Sequence, residues 1–424
     1  MEKTPKSLRL HIGIFGRTNV GKSSFLNYIT NQDIAITSPV PGTTTDVVEK
    51  PMELLPIGPV VFLDTAGIDD TSTLGSQRLS KTQEVFKRAD VFVVVAAPNE
   101  WTPFEDEICN EAAKLGAGCL VVVNKVDINA PSKEFIATCA GKNRPVMSCS
   151  CLDVAARSAR IDEFKSHVAG IIPEGSKEAP PLISDLIAPG AIVVCVVPID
   201  LQAPRGRLIM PQVQTIRETI DCDATAIVVK EREYAHLLGR LGVKPDLVVC
   251  DSQVVLKVVA DTPLDVKCTT FSILFSRSKG DLQLQAAGLG VIDSLKSGDR
   301  VLIAEACTHH ALEDDIGRIK IPRWLRQYTG ADLTVDVFSG RDYSQNLADY
   351  KLVIHCGSCM TTRRETLARL RRAADAGVTI TNYGLCISFL QGVLERALGP
   401  FPAALDAFKR SNKRTYTNDN RNVK

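Results

Sequence analysis

Short apolar runs alternate with amphipathic stretches over residues 8–150. Four of these runs are LRLHIGIFG, VVFLDTAG, VFVVVAAP and CLVVVNK. They are rich in β-branched residues and almost continuously apolar, which is typical of parallel strands that are buried on both faces. Because helices are predicted in the amphipathic stretches between them, this region is predicted to form an α/β domain with a parallel sheet.

The same alternation recurs twice after a stretch of turn-forming residues at 173–181. The second region has the strand candidates AIVVCVVPID, ATAIVVK and DLVVCD, and helices are predicted near residues 211–219 and 234–241. The third region has the strand candidates FSILFS, RVLIAEAC, LTVDVFSG, KLVIHC and VTITNYG. We therefore predict an α/β fold of three domains at residues 1–175, 180–265 and 266–412, followed by a polar tail at residues 413–424.

Length and charge narrow the class of protein. A chain of 424 residues is typical of two or three domains. Its 50 Lys and Arg residues and 49 Asp and Glu residues leave a formal net charge of +1, so no overall field attracts nucleic acid or an anionic membrane. No apolar stretch approaches the length of a membrane span, and none follows the basic N-terminal residues. The chain is expected to be cytoplasmic, with neither nucleic acid nor a membrane as a partner.

The segment GRTNVGKS follows the first apolar run and precedes a helical stretch, which is the context of a phosphate-binding loop. In such a loop the backbone amides surround the phosphates, Lys22 reaches the β- and γ-phosphate oxygens, and Ser23 ligates Mg²⁺. The candidate nucleotide-binding residues of this segment are Gly16, Asn19, Val20, Gly21, Lys22, Ser23 and Ser24.

Two further motifs stand at the ends of later apolar runs. Asp64 is placed to hold the Mg²⁺ shell, and the amide of Gly67 is placed near the γ-phosphate. The motif NKVD contains Asn124, Lys125 and Asp127, and its carboxylate can accept hydrogen bonds from the N1 and N2 donors of guanine. Adenine lacks this pair of donors, so GTP is predicted over ATP. The order of the three motifs identifies the first domain as a P-loop GTPase.

These residues resemble the GTPases of the TrmE, Era and Der group. The segment GTTTD at residues 42–46 of this chain stands where that group has its switch I motif. The resemblance implies that Thr44 ligates Mg²⁺ and that Asn19 helps to ligate K⁺. It also implies that Ser148 and Cys149, within SCS at residues 148–150, form the fifth guanine-binding element. Thr45 stands where the group has an arginine, so the role of that arginine does not carry over. The candidate catalytic residues are Lys22, Thr44, Asp64 and Gly67.

Hydrolysis of GTP is predicted to be slow. Ile68 follows Gly67 at the position where Ras-like GTPases have the glutamine that orients the attacking water. Asp69 and Asp70 are either substitutes for that glutamine or solvated acids on the loop. The resemblance implies that K⁺ stimulates the reaction.

A second set of candidate ligands lies in the third region. The chain has 13 cysteines, and three of them fall with two histidines in the pattern C-x-H, a long gap, then H-C-x-x-C. The residues are Cys307, His309, His355, Cys356 and Cys359. Cys307 and Cys356 end strand candidates, and the carboxyl ends of strands in an open parallel sheet converge on one crevice. We therefore predict a metal site of three thiolates, with the histidines as candidate fourth ligands; His310 is a neighbouring candidate.

The residues after Cys359 predict how its thiolate is stabilised. The sequence from Thr362 to Glu365 has the pattern of a capping box, and Gly377 is placed to end the helix. The positive end of this helix, with Arg363 and Arg364, is expected to lower the pKa of the thiols. A closed Cys₃His zinc site is the competing interpretation.

The union of guanine motifs with this cysteine pattern resembles the HydF family, the maturation GTPases of FeFe-hydrogenase. The resemblance implies a dimerisation domain at residues 180–265, and an iron-sulfur domain at residues 266–412 whose 4Fe-4S cluster is held by Cys307, Cys356 and Cys359. His309 or His355 would bind or surround the fourth iron. The implied cofactors are GTP, Mg²⁺, K⁺, the 4Fe-4S cluster and a transient di-iron subcluster.

The family function implied is that of a GTP-hydrolysing scaffold, which holds the di-iron precursor of the H-cluster and delivers it. The implied partners are apo FeFe-hydrogenase, the radical SAM maturases HydE and HydG, and further copies of the chain in a homodimer or higher oligomer. Two alternatives remain open. One is a ribosome- or tRNA-associated GTPase of the TrmE, Era and Der type, for which the charge balance offers no basic surface. The other is a redox-sensing GTPase with a structural metal site.

Overall fold

The computed structural model describes residues 6–31, 48–64, 85–141, 144–173, 180–198, 208–306, 315–340 and 346–419. The chain forms two compact units, Met1–Glu178 and Ala179–Lys424. Within the described ranges, no helix combines the length and the apolar character needed to cross a bilayer.

The first unit is built on a six-stranded sheet. Its strands are β1 (Leu10–Phe15), β2 (Val48–Leu54), β3 (Gly58–Asp64), β4 (Val91–Ala96), β5 (Gly118–Val123) and β6 (Val146–Ser148). The strand order is β2-β3-β1-β4-β5-β6, and all neighbours are parallel except β2 and β3. The helices are α1 (Lys22–Thr30), α2 (Pro103–Lys114), α3 (Lys133–Ala140) and α4 (Arg157–Ile171). The central strand β4 is buried at every position, so apolar cores lie on both faces of the sheet.

The second unit contains two four-stranded sheets that are parallel throughout. The first comprises β7 (Ile192–Val196), β8 (Thr225–Val229), β9 (Leu247–Cys250) and β10 (Lys267–Thr270), in the order β10-β9-β7-β8. The second comprises β11 (Arg300–Glu305), β12 (Thr334–Ser339), β13 (Leu352–His355) and β14 (Thr379–Asn382), in the order β12-β11-β13-β14. One apolar core runs through residues of both sheets.

Helices flank these two sheets. They are α5 (Met210–Asp221), α6 (Tyr234–Arg240), α7 (Val255–Asp261), α8 (Phe271–Lys279), α9 (Leu282–Ala287), α10 (Ile321–Thr329), α11 (Arg363–Asp375), α12 (Tyr383–Leu390), α13 (Leu394–Ala397) and α14 (Pro402–Asp419). A π-helical turn at Ile316–Lys320 precedes α10. α14 continues to Asp419, into the residues predicted as a polar tail.

Most predicted elements are confirmed. The apolar runs of the first region form β1, β3, β4 and β5, and the helices predicted near residues 211–219 and 234–241 are α5 and α6. The capping box of α11 is present in full: Thr362 Oγ1 accepts from the Glu365 amide, and Glu365 Oε2 accepts from the Thr362 amide at 2.8 Å. Gly377 follows this helix with a φ of 69°, as a left-handed stop requires.

The strand predicted at FSILFS is wrong, because these residues begin α8. Thr270 caps this helix by accepting a hydrogen bond from the Ile273 amide. Phe271, Ile273, Leu274 and Phe275 are all buried, so the helix has no polar stripe through which the sequence could show a helical period. The preceding strand β10 pairs with β9 although it lies beyond the predicted domain boundary at residue 265. The domain boundaries remain predictions.

A single carboxylate secures the start of the second unit. Glu218, on α5, accepts hydrogen bonds from three consecutive backbone amides, those of Leu182, Ile183 and Ser184, at 3.1, 3.0 and 2.9 Å. Ile183 is fully buried, so this turn is packed as well as hydrogen-bonded. Glu218 therefore satisfies amides that no strand or helix satisfies.

We expect Glu218→Gln to destabilise the second unit by about 1–3 kcal/mol, because an amide group has one acceptor oxygen and no charge. Urea unfolding of the full chain measures the loss, and hydrogen exchange at residues 182–184 locates it. Glu233→Gln is the matched control, since Glu233 is exposed and its side chain makes no capping bond to α6. Unchanged exchange at residues 182–184 would contradict this role of Glu218.

Candidate functional site

The phosphate loop connects β1 to α1. Lys22 is buried, and its Nζ donates to the carbonyl oxygens of Gly16 and Arg17 at 2.9 and 2.7 Å. The ammonium thus lies across the mouth of its own loop, which is where phosphate oxygens bind in loops of this kind. Arg17 is paired with the fully buried carboxylate of Glu105 at 2.8 Å, and this pair anchors the loop to α2.

Two glycines of the loop are required by their surroundings. Gly16 has a φ of 148°, and a Cβ there would lie 2.3 Å from the Val95 carbonyl oxygen. Gly21 has a φ of 93°, and a Cβ there would lie 2.3 Å from Asn124 Nδ2. The second contact shows that the phosphate loop and the predicted guanine motif are packed against each other.

Asp64 lies at the end of β3 as predicted, beside Ser23. Ser23 Oγ donates to Asp64 Oδ2 at 3.1 Å, and Asp64 Oδ1 is buried with no hydrogen-bond partner among the described residues. Burial raises the pKa of Asp64 to about 6, although Lys22 and Ser23 oppose the shift. A serine hydroxyl and a carboxylate oxygen that lacks a partner suit Mg²⁺, which prefers oxygen ligands and keeps part of its water shell.

The guanine motif is linked to the phosphate loop by two hydrogen bonds. Asn124 Nδ2 donates to the Val20 carbonyl oxygen at 3.0 Å, and Lys125 Nζ donates to the Asn19 carbonyl oxygen at 2.5 Å. Lys125 and Asn19 both have positive φ, 62° and 64°. Asp127 is exposed, so its carboxylate is accessible to a base. This geometry favours recognition of a purine nucleotide whose base lies beside Asp127.

The residue directly after the predicted fifth element, Cys151, contributes to the site although the sequence pattern did not indicate it. Ser148 ends β6, and Cys149 is buried immediately after it. Cys151 Sγ donates to Asn124 Oδ1 at 3.2 Å, so this thiol fixes the amide that contacts the phosphate loop. The spacing S-C-S-C was the available signal, but a thiol donor cannot be told from a packing cysteine by sequence.

Four candidate site residues lie outside the described residues. They are Thr44, Gly67, Cys307 and His309, and the neighbouring Ile68, Asp69, Asp70 and His310 also lie there. Their roles in Mg²⁺ binding, water positioning and metal ligation remain predictions.

The second candidate site lies at the carboxyl edge of the β11–β14 sheet. β11 and β13 are neighbours, and the chain leaves them toward opposite sides of the sheet, to β12 and to β14. Ligands bind at such a switch point in open parallel sheets. Cys356 follows β13, and its Sγ accepts a hydrogen bond from the Ala306 amide at 3.2 Å. The chain that leads into Cys307 therefore contacts Cys356, as the strand-end argument requires.

His355 is fully buried between backbone and side-chain partners. Its Nδ1 lies 2.8 Å from the Cys356 carbonyl oxygen, and its Nε2 lies 3.1 Å from Arg369 Nη1. Burial, followed by the Arg369 charge, lowers the pKa of His355 to about 4, so the ring is neutral. Nδ1 is then the donor and Nε2 the acceptor. Both ring nitrogens are hydrogen-bonded in this arrangement, so the prediction of His355 as a fourth ligand through Nε2 would require Arg369 to move.

The expected lowering of the thiol pKa values is wrong for both described cysteines. Burial raises the pKa of the Cys356 thiol and that of the Cys359 thiol, because it disfavours the thiolate. Arg363 does not offset this effect, since its Nη1 donates to the Ser278 and Gly280 carbonyl oxygens at 2.5 and 3.3 Å. The cation that does oppose the rise at Cys359 is Lys279, which the sequence analysis missed.

The donor set at this edge fits a metal bound by thiolates. Cys356 and Cys359 lie on one four-residue turn after β13. Ala306, the residue before Cys307, is hydrogen-bonded to Cys356. Among the described residues, no three His, Cys, Asp or Glu side chains form a group that could hold a metal ion, and Cys307 and His309 lie outside those residues. A thiolate set of this kind suits iron-sulfur clusters or zinc.

Three family models match successive parts of the chain. Residues 11–125 match the 50S ribosome-binding GTPase model. Residues 182–280 match the hydrogen maturase F dimerization domain, and residues 283–400 match the hydrogen maturase F tetramerization domain.

Curated relatives match part of the chain. The tRNA modification GTPase MnmE of Bacillus pumilus is 33% identical over 167 residues, which are 39% of this chain and 35% of that protein. MnmE of Geobacillus kaustophilus is 34% identical over 168 residues, again 39% of this chain and 35% of that protein. The chain thus matches about a third of the length of these curated relatives.

Among solved structures, Era of Aquifex aeolicus bound to GDP and AlF₄⁻ is 20% identical and covers 55% of this chain and 98% of its own, with a TM-score of 0.34. A score of this size establishes no shared overall fold. The family models carry the assignment: the first unit contains a GTPase domain, and both hydrogen maturase F domains follow it in order. The chain therefore belongs to the hydrogen maturase F (HydF) family.

Proposed function

We propose that this chain is a GTP-hydrolysing scaffold, which holds a 4Fe-4S cluster on Cys307, Cys356 and Cys359. The di-iron precursor of the FeFe-hydrogenase H-cluster is its cargo, and apo-hydrogenase receives that cargo. The observation that carries the proposal is the hydrogen bond from the Ala306 amide to Cys356 Sγ. This bond brings the residue before Cys307 into contact with Cys356. The contact lies within the matched hydrogen maturase F tetramerization domain, and that match, with the dimerization domain before it, supports the same function.

Three cysteines are the right number for such a task. When bound, a cluster with three thiolate ligands supplies one iron whose remaining position can exchange ligands, whereas four thiolates would leave a closed electron-transfer centre. The protein's own contribution is to keep the thiols of Cys356 and Cys359 partly buried and to hold their loop. His355 contributes by donating from Nδ1 to the Cys356 carbonyl oxygen, and Arg369 holds the ring from the other side.

The GTPase unit supports nucleotide-dependent control of the scaffold. Lys22 is proposed to bind the phosphates, Ser23, Asp64 and Thr44 to surround Mg²⁺, and Asn19 to ligate K⁺. Asp127 selects guanine, and Ser148 and Cys149 complete the base site. Gly67 is proposed to contact the γ-phosphate, and turnover is slow because Ile68 supplies no polar group to orient water.

Self-association has a structural basis in the edge strand β8. Its residues are largely accessible, with Val228 46% exposed, and the neighbouring α5 presents Val213 and Ile220 at 45% and 55% exposure. Exposed apolar residues beside an open sheet edge favour pairing with another chain. Together with the matched dimerization and tetramerization models, this supports a homodimer or higher homo-oligomer. HydE and HydG are the proposed sources of the cargo, and the proposed compartment is the cytoplasm.

The raised pKa of Asp64 predicts the pH dependence of Mg²⁺ binding. Below about pH 6 the carboxyl group is protonated, so the Mg²⁺-dependent affinity for GTP should fall about tenfold per pH unit. Without Mg²⁺ the folded state disfavours the ionised form, so stability is lost as the pH rises from about 4 through 6.

Asp64→Asn should therefore stabilise the Mg²⁺-free chain by roughly 1–3 kcal/mol at pH 8 and abolish the Mg²⁺ dependence. Nucleotide titrations and urea unfolding at pH 4 to 8 measure both effects. Asp162→Asn is the control, because Asp162 is 73% exposed and makes only a 3.9 Å ion pair. A variant that binds Mg²⁺-GTP as the native chain does would contradict the role of Asp64.

Base selection can be reversed at Asp127. The carboxylate accepts hydrogen bonds from guanine, whereas in Asp127→Asn the amide donates and matches the extra carbonyl of xanthine. We expect the variant to lose at least about tenfold in GTP affinity and to gain affinity for xanthosine triphosphate. Asp153→Asn, in the exposed loop after the base site, should keep the native preference. Equal loss of both nucleotides would show that Asp127 does not read the base.

The cluster assignment is tested by single cysteine variants. After anaerobic reconstitution, Cys307→Ala, Cys356→Ala and Cys359→Ala should each lose bound iron and sulfide and fail to activate apo-hydrogenase, while GTP turnover survives. Cys222→Ala, at the end of α5, is the control and should retain both properties. Tight zinc binding without iron uptake by the native chain would reject the scaffold in favour of a structural metal site.

A further inference from the structure

A buried lysine from the matched dimerization domain reaches the turn after β13 that carries Cys356 and Cys359, residues 356–361, which we call the cysteine turn. Lys279 is the last residue of α8 and is only 4% exposed. Its Nζ donates to the carbonyl oxygens of Ser358, Cys359 and Thr361 at 3.1, 3.3 and 2.9 Å. Three acceptors match the three protons of an ammonium group, so all donors of this side chain are directed at one turn.

The positive charge of Lys279 has no carboxylate partner within 4.0 Å among the described residues. Burying a charge without an ion pair is costly, and backbone carbonyl oxygens offset only part of the cost. The groups that favour the charge through space are Cys359, Glu365 and Cys356, in that order. Burial nevertheless lowers the pKa of Lys279 to about 8. Cys359 itself accepts one of the three hydrogen bonds from Lys279 Nζ through its carbonyl oxygen, so the ammonium lies beside the cysteine-bearing turn.

Two elements near the turn, α11 and β14, are also hydrogen-bonded to α8. Arg363, at the start of α11, donates to carbonyl oxygens at the end of α8, and Asn382 Nδ2 donates to the Ser272 carbonyl oxygen at its beginning, at 3.1 Å. Ser358 has a φ of 57°, a left-handed conformation that costs energy for a residue with a side chain. The bond from Lys279 to the Ser358 carbonyl oxygen holds the turn in that conformation.

We propose that Lys279 is a positioning residue for the metal centre, which fixes the turn from Ser358 to Thr361 and supplies the fixed positive charge that a thiolate-bound cluster requires. This inference rests on the proposed function. Lys279 lies within the matched dimerization domain and its acceptors lie within the matched tetramerization domain. A shift of α8 in the dimerization domain would therefore move the turn that carries the proposed cluster ligands.

Two effects follow from this role. A thiolate-bound cluster is more negative when reduced, so a nearby cation favours the reduced form and raises the reduction potential. The hydrogen bonds pre-organise the turn, so cluster assembly needs less ordering of the chain. Lys279→Met, which is close in length but neutral and without donors, removes both effects.

The test compares reconstituted full-length variants. In Lys279→Met we expect the ratio of reduced to oxidised cluster at a fixed potential to fall about tenfold, equivalent to about 59 mV for a one-electron couple. We also expect less iron and sulfide per chain. Lys267→Met is the matched control: Lys267 is exposed, lies in the same domain, and donates to one carbonyl oxygen, that of Leu186, at 2.8 Å. Thermal unfolding of each variant before reconstitution establishes that it folds.

Lys279→Arg keeps the charge and should keep the native potential, even with a lower cluster content. A folded Lys279→Met with native potential and native iron content would overturn the inference, as would a tenfold change in Lys279→Arg. If Lys279→Met does not fold, the reduction potential of Lys279→Arg is the test. A native potential supports the inference, and a tenfold change in the ratio of reduced to oxidised cluster overturns it. Absence of iron and sulfide from the native chain would instead refute the proposed function, so the two failures are distinguishable.

Discussion

The carboxyl edge of a sheet determines where the candidate site lies in each unit of this protein. In the first unit, the phosphate loop, Asp64 and the guanine motif follow β1, β3 and β5 at one edge. In the second unit, Cys356 follows β13, and the Ala306 amide at the end of β11 donates to its sulfur. The loops that follow neighbouring parallel strands lie at the same edge of the sheet. Residues that are distant in sequence therefore become neighbours there.

Each site also contains a buried ionisable side chain whose charged form is disfavoured by burial. At the GTP site this is Asp64, whose Oδ1 has no hydrogen-bond partner among the described residues and whose pKa is raised by burial. At the cysteine turn it is Lys279, whose partners there are backbone carbonyl oxygens. The signs are opposite and match the expected ligands, a cation at Asp64 and an anionic thiolate centre at Lys279. Such charges destabilise the ligand-free fold and favour the bound state, which couples ligand binding to stability.

The sequence was sufficient for features that depend on local pattern. The continuous apolar run of β4, the phosphate loop and the capping box of α11 each have a signature within a few residues, and each is confirmed. It failed where the decisive contact is distant. FSILFS was assigned to a strand because a helix buried on all sides shows no period, and Lys279 was missed because its acceptors lie about 80 residues further along the chain. The effect of Arg363 was predicted wrongly for the same reason, since its guanidinium binds the end of α8 and not the thiols.

The surroundings of His355 explain how the turn can be rigid while its thiols remain available. The neutral ring donates to the Cys356 carbonyl oxygen and accepts from Arg369, and Arg369 also donates to the Gly340 carbonyl oxygen at 2.6 Å, beyond the end of β12. Lys279, at the end of α8, holds the same turn by donating to the Ser358 carbonyl oxygen. Every one of these bonds uses backbone oxygens or the imidazole, and the groups directed at the sulfurs are backbone amides, among them that of Ala306 for Cys356. The turn is therefore ordered by groups that would not compete with the proposed metal for the thiolates, which is the arrangement expected of a pre-organised binding centre.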